Sequence, residues 1–242
     1  PASMPILKDL GVLTEVEKSG FLPKYGATMV WGSQQQPWSW YFAETNHKYP
    51  NAFQVWRPTF DQILLENSKK HGVDVRENHQ VTSIDFLDNG SVTVNYIHQL
   101  NRKGSIGADF IVDASGSNCL LARQLNLREW DQFFQNLAVY GYFKGGSRLP
   151  EPDQTNIFIE STGNGWIWNI PLHTGVASVG AVVDSEFGQS EISRLGIKEF
   201  LIQNINQSKY TAEMLKDSEL VSDPFVIKDW SYTNKPLVGD NY

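Results

Sequence analysis

Trp166-Ile167-Trp168-Asn169-Ile170-Pro171 places two indoles two residues apart in a segment of extended character. Alternate residues of a strand share a face and stand about 6.6 Å apart, two rises of about 3.3 Å. Trp166, Trp168 and Ile170 are therefore expected on one face, with Ile167 and Asn169 on the other, until Pro171 removes a donor and ends the ladder. The neighbouring segments keep the same period of two. Leu137 to Phe143, Asn156 to Glu160 and Ala177 to Val183 all alternate, and turns at Thr162-Gly163-Asn164 and His173-Thr174-Gly175 separate the later ones. An antiparallel meander is the expected product. Within it the paired tryptophans either wall off something bound or fill a core.

Upstream of the meander the pattern changes. Ile6 to Val16 reads as a short helix broken at Gly11, and Ala27–Gly32 with Trp38–Phe42 reads as a strand pair joined by Ser33-Gln34-Gln35-Gln36-Pro37. A helix follows, with Pro58 in its first turn, Phe60, Ile63 and Leu64 at helical spacing, and Gly72 at its end. Val73-Asp74-Val75 and Val81 to Phe86 read as strands, and Asp88-Asn89-Gly90 turns the chain into Val92 to Tyr96. Ala108-Asp109-Phe110-Ile111-Val112-Asp113 is a near-continuous apolar run of the kind found in a strand covered on both faces, and it leads into Ala114-Ser115-Gly116-Ser117 and a helix through Leu120, Leu121 and Gln124. After the meander, a helix through Ile197, Phe200, Leu201 and Ile205 precedes an extended piece at Asp229-Trp230-Ser231-Tyr232.

The fold class expected from this order is mixed α/β, with an α/β layer interleaved with a larger antiparallel sheet. The expected division is 1–52 for the first helix and strands of the sheet layer, 53–122 for the α/β layer, 123–228 for the antiparallel sheet and its helix, and 229–242 for the start of a return to the α/β layer. Ligands favour such layer boundaries.

Composition narrows the functional classes. The 242 residues are 40% hydrophobic and 12% aromatic, ample for a buried core. Net charge is −7 and no basic stripe is present, so nucleic acid is not an expected partner. No apolar run approaches the ~18 residues a membrane helix needs, so no membrane partner is expected either. A single cysteine, Cys119, leaves no internal disulfide and fits a reducing compartment, so a cytoplasmic location is expected. The five histidines, Asp9, Asp61 and Glu66 show no metal-ligand spacing, and no metal is expected.

Three further stretches carry chemistry. Phe53-Gln54-Val55-Trp56-Arg57-Pro58-Thr59-Phe60-Asp61 puts Arg57 at a helix entry, where unpaired N–H groups and the helix dipole favour an anion; it is either a phosphate contact or a surface arginine. Asp113-Ala114-Ser115-Gly116 offers small residues after an apolar run, which lets a ligand or another backbone come close. Phe21-Leu22-Pro23-Lys24-Tyr25-Gly26-Ala27 carries Lys24, either a solvated lysine or an amine held near a substrate. Trp31, Trp38 and Trp40 are either pocket walls or core aromatics.

Trp166 to Pro171 resembles the Trp-x-Trp-x-Ile-Pro signature of flavin-dependent halogenases, and nearly the whole chain resembles the central part of such a protein. The segment around Arg57 is similar to the Val-x-Arg-x-x-Phe-Asp stretch of the wider p-hydroxybenzoate hydroxylase-like superfamily, and Asp113-Ala114-Ser115-Gly116 is similar to its cofactor-facing turn. The resemblance implies a p-hydroxybenzoate hydroxylase-like fold, an FAD-binding α/β layer and a substrate sheet. It implies FAD contacts at Arg57, Val81, Asp113, Ala114 and Gly116, and a substrate pocket bordered by Trp31, Trp40 and Pro171. In the implied reaction, reduced FAD supplied by a separate flavin reductase reacts with oxygen, the flavin hydroperoxide oxidises halide, and hypohalous acid passes Trp166 and Trp168. Lys24 then delivers the halogen to a small or carrier-bound electron-rich aromatic. A related FAD-dependent monooxygenase, a protein-modifying flavoprotein and a geranylgeranyl-reductase-like oxidoreductase are the alternatives.

The family's Gly-x-Gly-x-x-Gly phosphate cradle does not occur in the chain, and Asn241-Tyr242 after Gly239-Asp240 is a poor match to its later ribityl-binding motif. Both ends read as cut. The expectation is an internal fragment that by itself binds FAD weakly or not at all and is inactive.

Overall fold

A computed structural model describes residues 1–33, 35–99, 101–228 and 230–242. In chain order the elements are α1 (Ser3–Asp9), α2 (Leu13–Lys18), β1 (Leu22–Lys24), β2 (Gly26–Val30), β3 (Pro37–Tyr41), β4 (Ala52–Gln54) and α3 (Arg57–Lys70). Next come β5 (His79–Phe86), β6 (Val92–His98), β7 (Arg102–Ala108), α4 (Leu120–Gln124) and β8 (Arg128–Trp130). The meander follows as β9 (Asn136–Lys144), β10 (Ile157–Thr162), β11 (Gly165–Pro171) and β12 (Val176–Asp184). The chain continues through α5 (Ser185–Leu195), α6 (Ile197–Gln207), α7 (Tyr210–Leu215), β13 (Glu219–Leu220), β14 (Phe225–Lys228) and β15 (Tyr232–Asn234).

These elements form two compact units, Pro1–Val73 with Asn136–Asp229, and Asp74–Gln135 with Trp230–Tyr242. The interleaving of a mixed α/β chain is as expected, but the boundaries differ. Residues 53–73 belong to the first unit, because Phe53, Val55, Trp56, Phe60 and Leu64 pack on the core that Leu7, Val12, Val16 and Phe21 build between α1, α2 and α3. Residues 123–135 belong to the second, where Leu125 packs with Ile84, Val92 and Leu121.

The first unit is dominated by an eight-stranded sheet in the order β13-β9-β12-β11-β10-β2-β3, with β14 also pairing with β9. All its pairings are antiparallel except that of β10 with β2, so the N-terminal strand pair extends the meander. One face is covered by helices. Leu137, Val139, Ile167, Val179, Ala181 and Val183 point from the strands into a core closed by Phe200, Leu201 and Ile205 of α6 and Leu215 of α7. Burying each such side chain contributes about 1.5–3 kcal/mol. Alternation therefore sorts β11 as expected: Ile167, Asn169 and Pro171 are buried on the helix side, and Trp166, Trp168 and Ile170 are half-buried on the other. Pro171, paired with Ala177, is the last residue of the strand, so the ladder ends there as expected.

Two polar devices hold the helices to this sheet. Asp184 accepts from the Phe187 amide at 2.9 Å and caps α5, a helix not among the expected elements. Glu160, almost fully buried on β10, accepts from the amides of Lys209, Tyr210 and Thr211 and from the Thr211 hydroxyl at 2.7–3.0 Å, satisfying the first turn of α7.

The second unit contains the antiparallel sheet β5-β6-β7, the pair β8-β15, and α4. Ile84, Val92 and Leu121 form its core, and the Gln124 side chain exchanges hydrogen bonds with the Ile84 backbone, joining α4 to β5.

Two expected strands are absent. Val73-Asp74-Val75 is irregular. Ala108–Asp113 leaves the sheet after Ala108, and Phe110 and Val112 are 53% and 79% exposed. Its apolar run is real, but beyond Ala108 its backbone meets Asn241 alone among the contacts of the described residues, the Ile111 amide donating to the Asn241 carbonyl and the Asp109 carbonyl accepting from the Asn241 side chain, so no ladder forms. Gln34, in the expected polar turn, and Asp229, at the head of the expected last extended piece, lie outside the described residues.

Candidate functional site

The open face of the large sheet is where the first unit concentrates its aromatic side chains. Cross-strand register brings Trp168 of β11 opposite Gly180 of β12, which in turn stands opposite Tyr140 of β9. With no Cβ at Gly180, the Trp168 indole lies over the backbone there; a Cβ would come within 2.4 Å of it and 2.5 Å of the Tyr140 Cβ. Trp168 Nε1 donates to Ser178 Oγ at 3.3 Å, fixing the ring along its neighbouring strand. The Tyr140 ring sits 6.0 Å from Trp168 and stacks on Phe225 of β14 at 5.0 Å. Tyr142 continues the row, with Trp56 edge-on at 5.3 Å. Trp56 is the residue immediately before α3, so the row ends beside Arg57 in sequence.

Trp166 leads the other way. Its ring lies 6.3 Å from Trp31, and with Met29, Trp38 and Ile159 the two line an open depression of about 480 Å³. Trp40, two residues from Trp38 on β3, instead packs edge-on against Phe42 at 5.4 Å. Pro171 lies on the helix-covered face, where it lines a separate small cavity with Asn169, Phe158 and Met214.

The strand carrying Trp38 and Trp40 is pinned from behind. Asp153 accepts from Ser39 Oγ at 2.7 Å, Tyr41 OH at 2.8 Å and Asn156 Nδ2 at 2.8 Å. The hydrogen bond to Asp153 raises the Tyr41 phenol above its ordinary pKa.

Lys24 ends β1, paired with Ala52 of β4. Its ammonium lies 5.8 Å from the Phe42 ring centroid, and burial lowers its pKa below the usual lysine value. Among the described residues no carboxylate forms an ion pair with it. An amine in this setting is more readily neutral, hence more nucleophilic, than a solvated one. Phe42 thus connects Lys24 to Trp40 on the strand pair that borders the tryptophan depression.

Arg57 opens α3 with an exposed side chain. Its guanidinium forks onto Asp61 one turn on, with Nε and a terminal nitrogen each 2.9 Å from a carboxylate oxygen, and this pairing raises its pKa further. Such an exposed pair is worth about 0.3–0.5 kcal/mol and is easily exchanged for a stronger anion.

The remaining expected residues lie in the second unit. Val81 is on β5, the outer strand of its sheet, beside a register shift between Val81 and Ser83. Burial pushes the Asp113 carboxyl up, but amide donors at Ser115 (2.9 Å) and Leu121 (2.8 Å) outweigh it and hold the group below the usual range. Asp113 thereby closes the turn and caps α4. Ala114 is exposed, and Gly116 has φ +65° with nothing within 4 Å of where a Cβ would be, so the backbone there is open to close approach.

Tyr140, Tyr142, Phe225, Trp56 and Gly180 were not among the expected site residues. Tyr140-Gly141-Tyr142 carried a usable signal, two aromatics at strand spacing in the same meander as the tryptophans. Phe225 carried none, since β14 reaches β9 only through the tertiary fold.

The family model described as tryptophan halogenase matches residues 33–214. The chain is 32% identical to a tryptophan 2-halogenase of Chondromyces crocatus, over 98% of this chain and 45% of that one. It is 31% identical to a 1H-pyrrole-2-carbonyl-(peptidyl-carrier protein) chlorinase of Pseudomonas fluorescens, over 100% of this chain and 58% of that one. Among solved structures, the myxobacterial chondrochloren halogenase CndH superposes with a TM-score of 0.91 at 37% identity, covering 97% of this chain and 55% of that chain. The chain spans about half the length of the curated relatives it matches.

Proposed function

The chain belongs to the tryptophan halogenase family, and from that premise we propose that it is the central portion of an FAD-dependent halogenase acting on an electron-rich aromatic, free or carrier-bound. The observation that carries the reading is the half-buried pair Trp166 and Trp168 on the open sheet face, with the desolvated Lys24 in the same compact unit. Bound FAD supplies the activation of oxygen that makes halide electrophilic. Trp166 and Trp168 keep organic substrate and bulk water from the cofactor side, and Lys24 Nζ takes up the halogen and presents it to the aromatic ring. Trp31 borders the substrate pocket beside Trp166, with Trp40 on the adjoining strand, whereas Pro171, expected at this pocket, faces the helix-covered side of the sheet and takes no part in it.

Each unit by itself offers residues whose chemistry suits the cofactor. Arg57 offers an exposed cation at the N-terminus of α3, suited to a pyrophosphate. The turn through Asp113, Ala114 and Gly116 leaves its backbone open, and Val81 lies on an outer strand whose free edge suits an adenine. A separate flavin reductase supplying reduced FAD, and a cytoplasmic location compatible with the free Cys119, belong to the same proposal.

The test uses the intact protein carrying this sequence, with reduced FAD, bromide and a panel of phenols, pyrroles and carrier-bound pyrroles. The expected product carries the bromine isotope pair, and Lys24→Ala abolishes it while flavin oxidation continues. A product that gains one oxygen instead assigns a monooxygenase, and undiminished bromination by Lys24→Ala removes the role given to the lysine.

A further inference from the structure

In the second unit, antiparallel pairing of β5 with β6 sets His79 directly opposite His98. Directly opposed residues project to the same face, and the two imidazole centroids are 4.8 Å apart. His79 is also held on its other side by Tyr96, whose ring centroid is 4.9 Å away. The Nδ1 of His79 lies 2.7 Å from the Glu77 carbonyl oxygen. A carbonyl only accepts, so Nδ1 carries the proton and Nε2 presents its lone pair. Metal-binding histidines are oriented by the same kind of contact.

We propose that His79 and His98 form a two-imidazole site for a divalent transition-metal ion. With metal–nitrogen bonds of about 2.0–2.1 Å, each ring centroid stands ~3.2 Å from the metal, and two such ligands at 90–110° have centroids roughly 4.5–5.2 Å apart. The observed 4.8 Å falls inside that window. The histidines line an open depression of about 450 Å³ whose other side chains are amides and Ile97. Among the described residues no group of three or more His, Cys, Asp or Glu converges, so the ion keeps water in its other positions. Imidazole donors without a carboxylate select zinc, nickel or copper over magnesium or calcium. The charged neighbours are Arg102, opposite His98 on β7, and the pair of Asp74 and Arg76, joined at 2.7 Å, of which Asp74 lies close enough to His79 to interact with it electrostatically.

The site is tested by titrating the 242-residue chain with nickel chloride in a non-coordinating buffer, comparing it with His79→Gln, His98→Gln, the double variant and His47→Gln. One site is expected in the parent chain and in His47→Gln, weakened at least about tenfold in each single variant and absent in the double variant. Independently of any variant, adding zinc chloride to the ¹⁵N-labelled parent chain shifts the ring nitrogens of His79 and His98 ahead of the other three histidines. Nickel binding by the double variant at parental strength, or ring nitrogens that do not respond to zinc, overturns the proposal.

Discussion

The Trp168 indole lies across the backbone of Gly180, so close that a methyl group at position 180 would meet the ring at 2.4 Å. The two residues are register partners on β11 and β12, and the absent side chain of one makes room for the ring of the other. The indole cannot simply rotate away without losing the contacts to Ser178 and Tyr140 that hold it.

Gly180→Ala is therefore expected to destabilise the first unit by about 1–3 kcal/mol, the usual cost of overpacking, and to change tryptophan emission as Trp168 moves. Urea denaturation followed by fluorescence and by far-UV circular dichroism checks both; parental stability with unchanged emission would contradict the packing described.

Glu160 offers a second test, because its two carboxylate oxygens serve three amides and a hydroxyl at the start of α7. Glu160→Gln replaces one accepting oxygen with a donor and leaves at least one buried amide unpaired. A loss of about 1–3 kcal/mol is expected in chemical denaturation, with early loss of hydrogen-exchange protection confined to α7.

Lys24 makes stability depend on alkaline pH in a defined direction. Burial lowers its native pKa from the ordinary 10.5, so the native state carries the full desolvation cost while the amine is charged in both states. As pH rises through the native pKa toward the unfolded value, the unfolded chain binds more protons and the native state gains. Lys24→Met should consequently be the more stable protein at pH 7, with its advantage shrinking as denaturation is repeated at rising alkaline pH. An advantage that does not shrink would place the ammonium in solvent.

Asp153 controls the titration of Tyr41. Asp153→Asn takes away the negative charge and leaves Tyr41 at most a weaker hydrogen bond to a neutral amide oxygen, so phenolate absorbance from Tyr41 should appear at lower pH than in the parent chain. Asp153→Ala should in addition release Ser39 and Asn156 and loosen β3, seen as faster exchange of its amides. A titration of Tyr41 identical in Asp153→Asn and the parent would contradict the contact.

Much of the site's one-sided character was readable from Trp166 to Pro171, because the alternation of faces is a property of the extended backbone and holds whatever the strand packs against. The entry of α3 at Arg57 and Pro58 was readable for a similar reason, since a proline in the first turn and a distant glycine bracket a helix locally. Ala108–Asp113 was misread because apolar residues look the same whether a strand is covered on both faces or a segment runs exposed beside another. Helix α5 follows β12 without a turn, so its local signals, the Asp184 cap and the apolar Ile192 and Leu195, run on directly from a strand pattern of period two.

Local sequence thus determined which residues alternate, where turns fall and which side chains can share a face. Tertiary structure decided which faces meet: the parallel docking of β10 on β2 that brings Trp31 beside Trp166, the return of β14 that lays Phe225 on Tyr140, and the hairpin register that sets His79 against His98. The physical reason is range. Backbone periodicity and turn chemistry act over a few residues, whereas strand partners are chosen by burial across the whole unit, where many sequence separations compete and only the packed core selects among them.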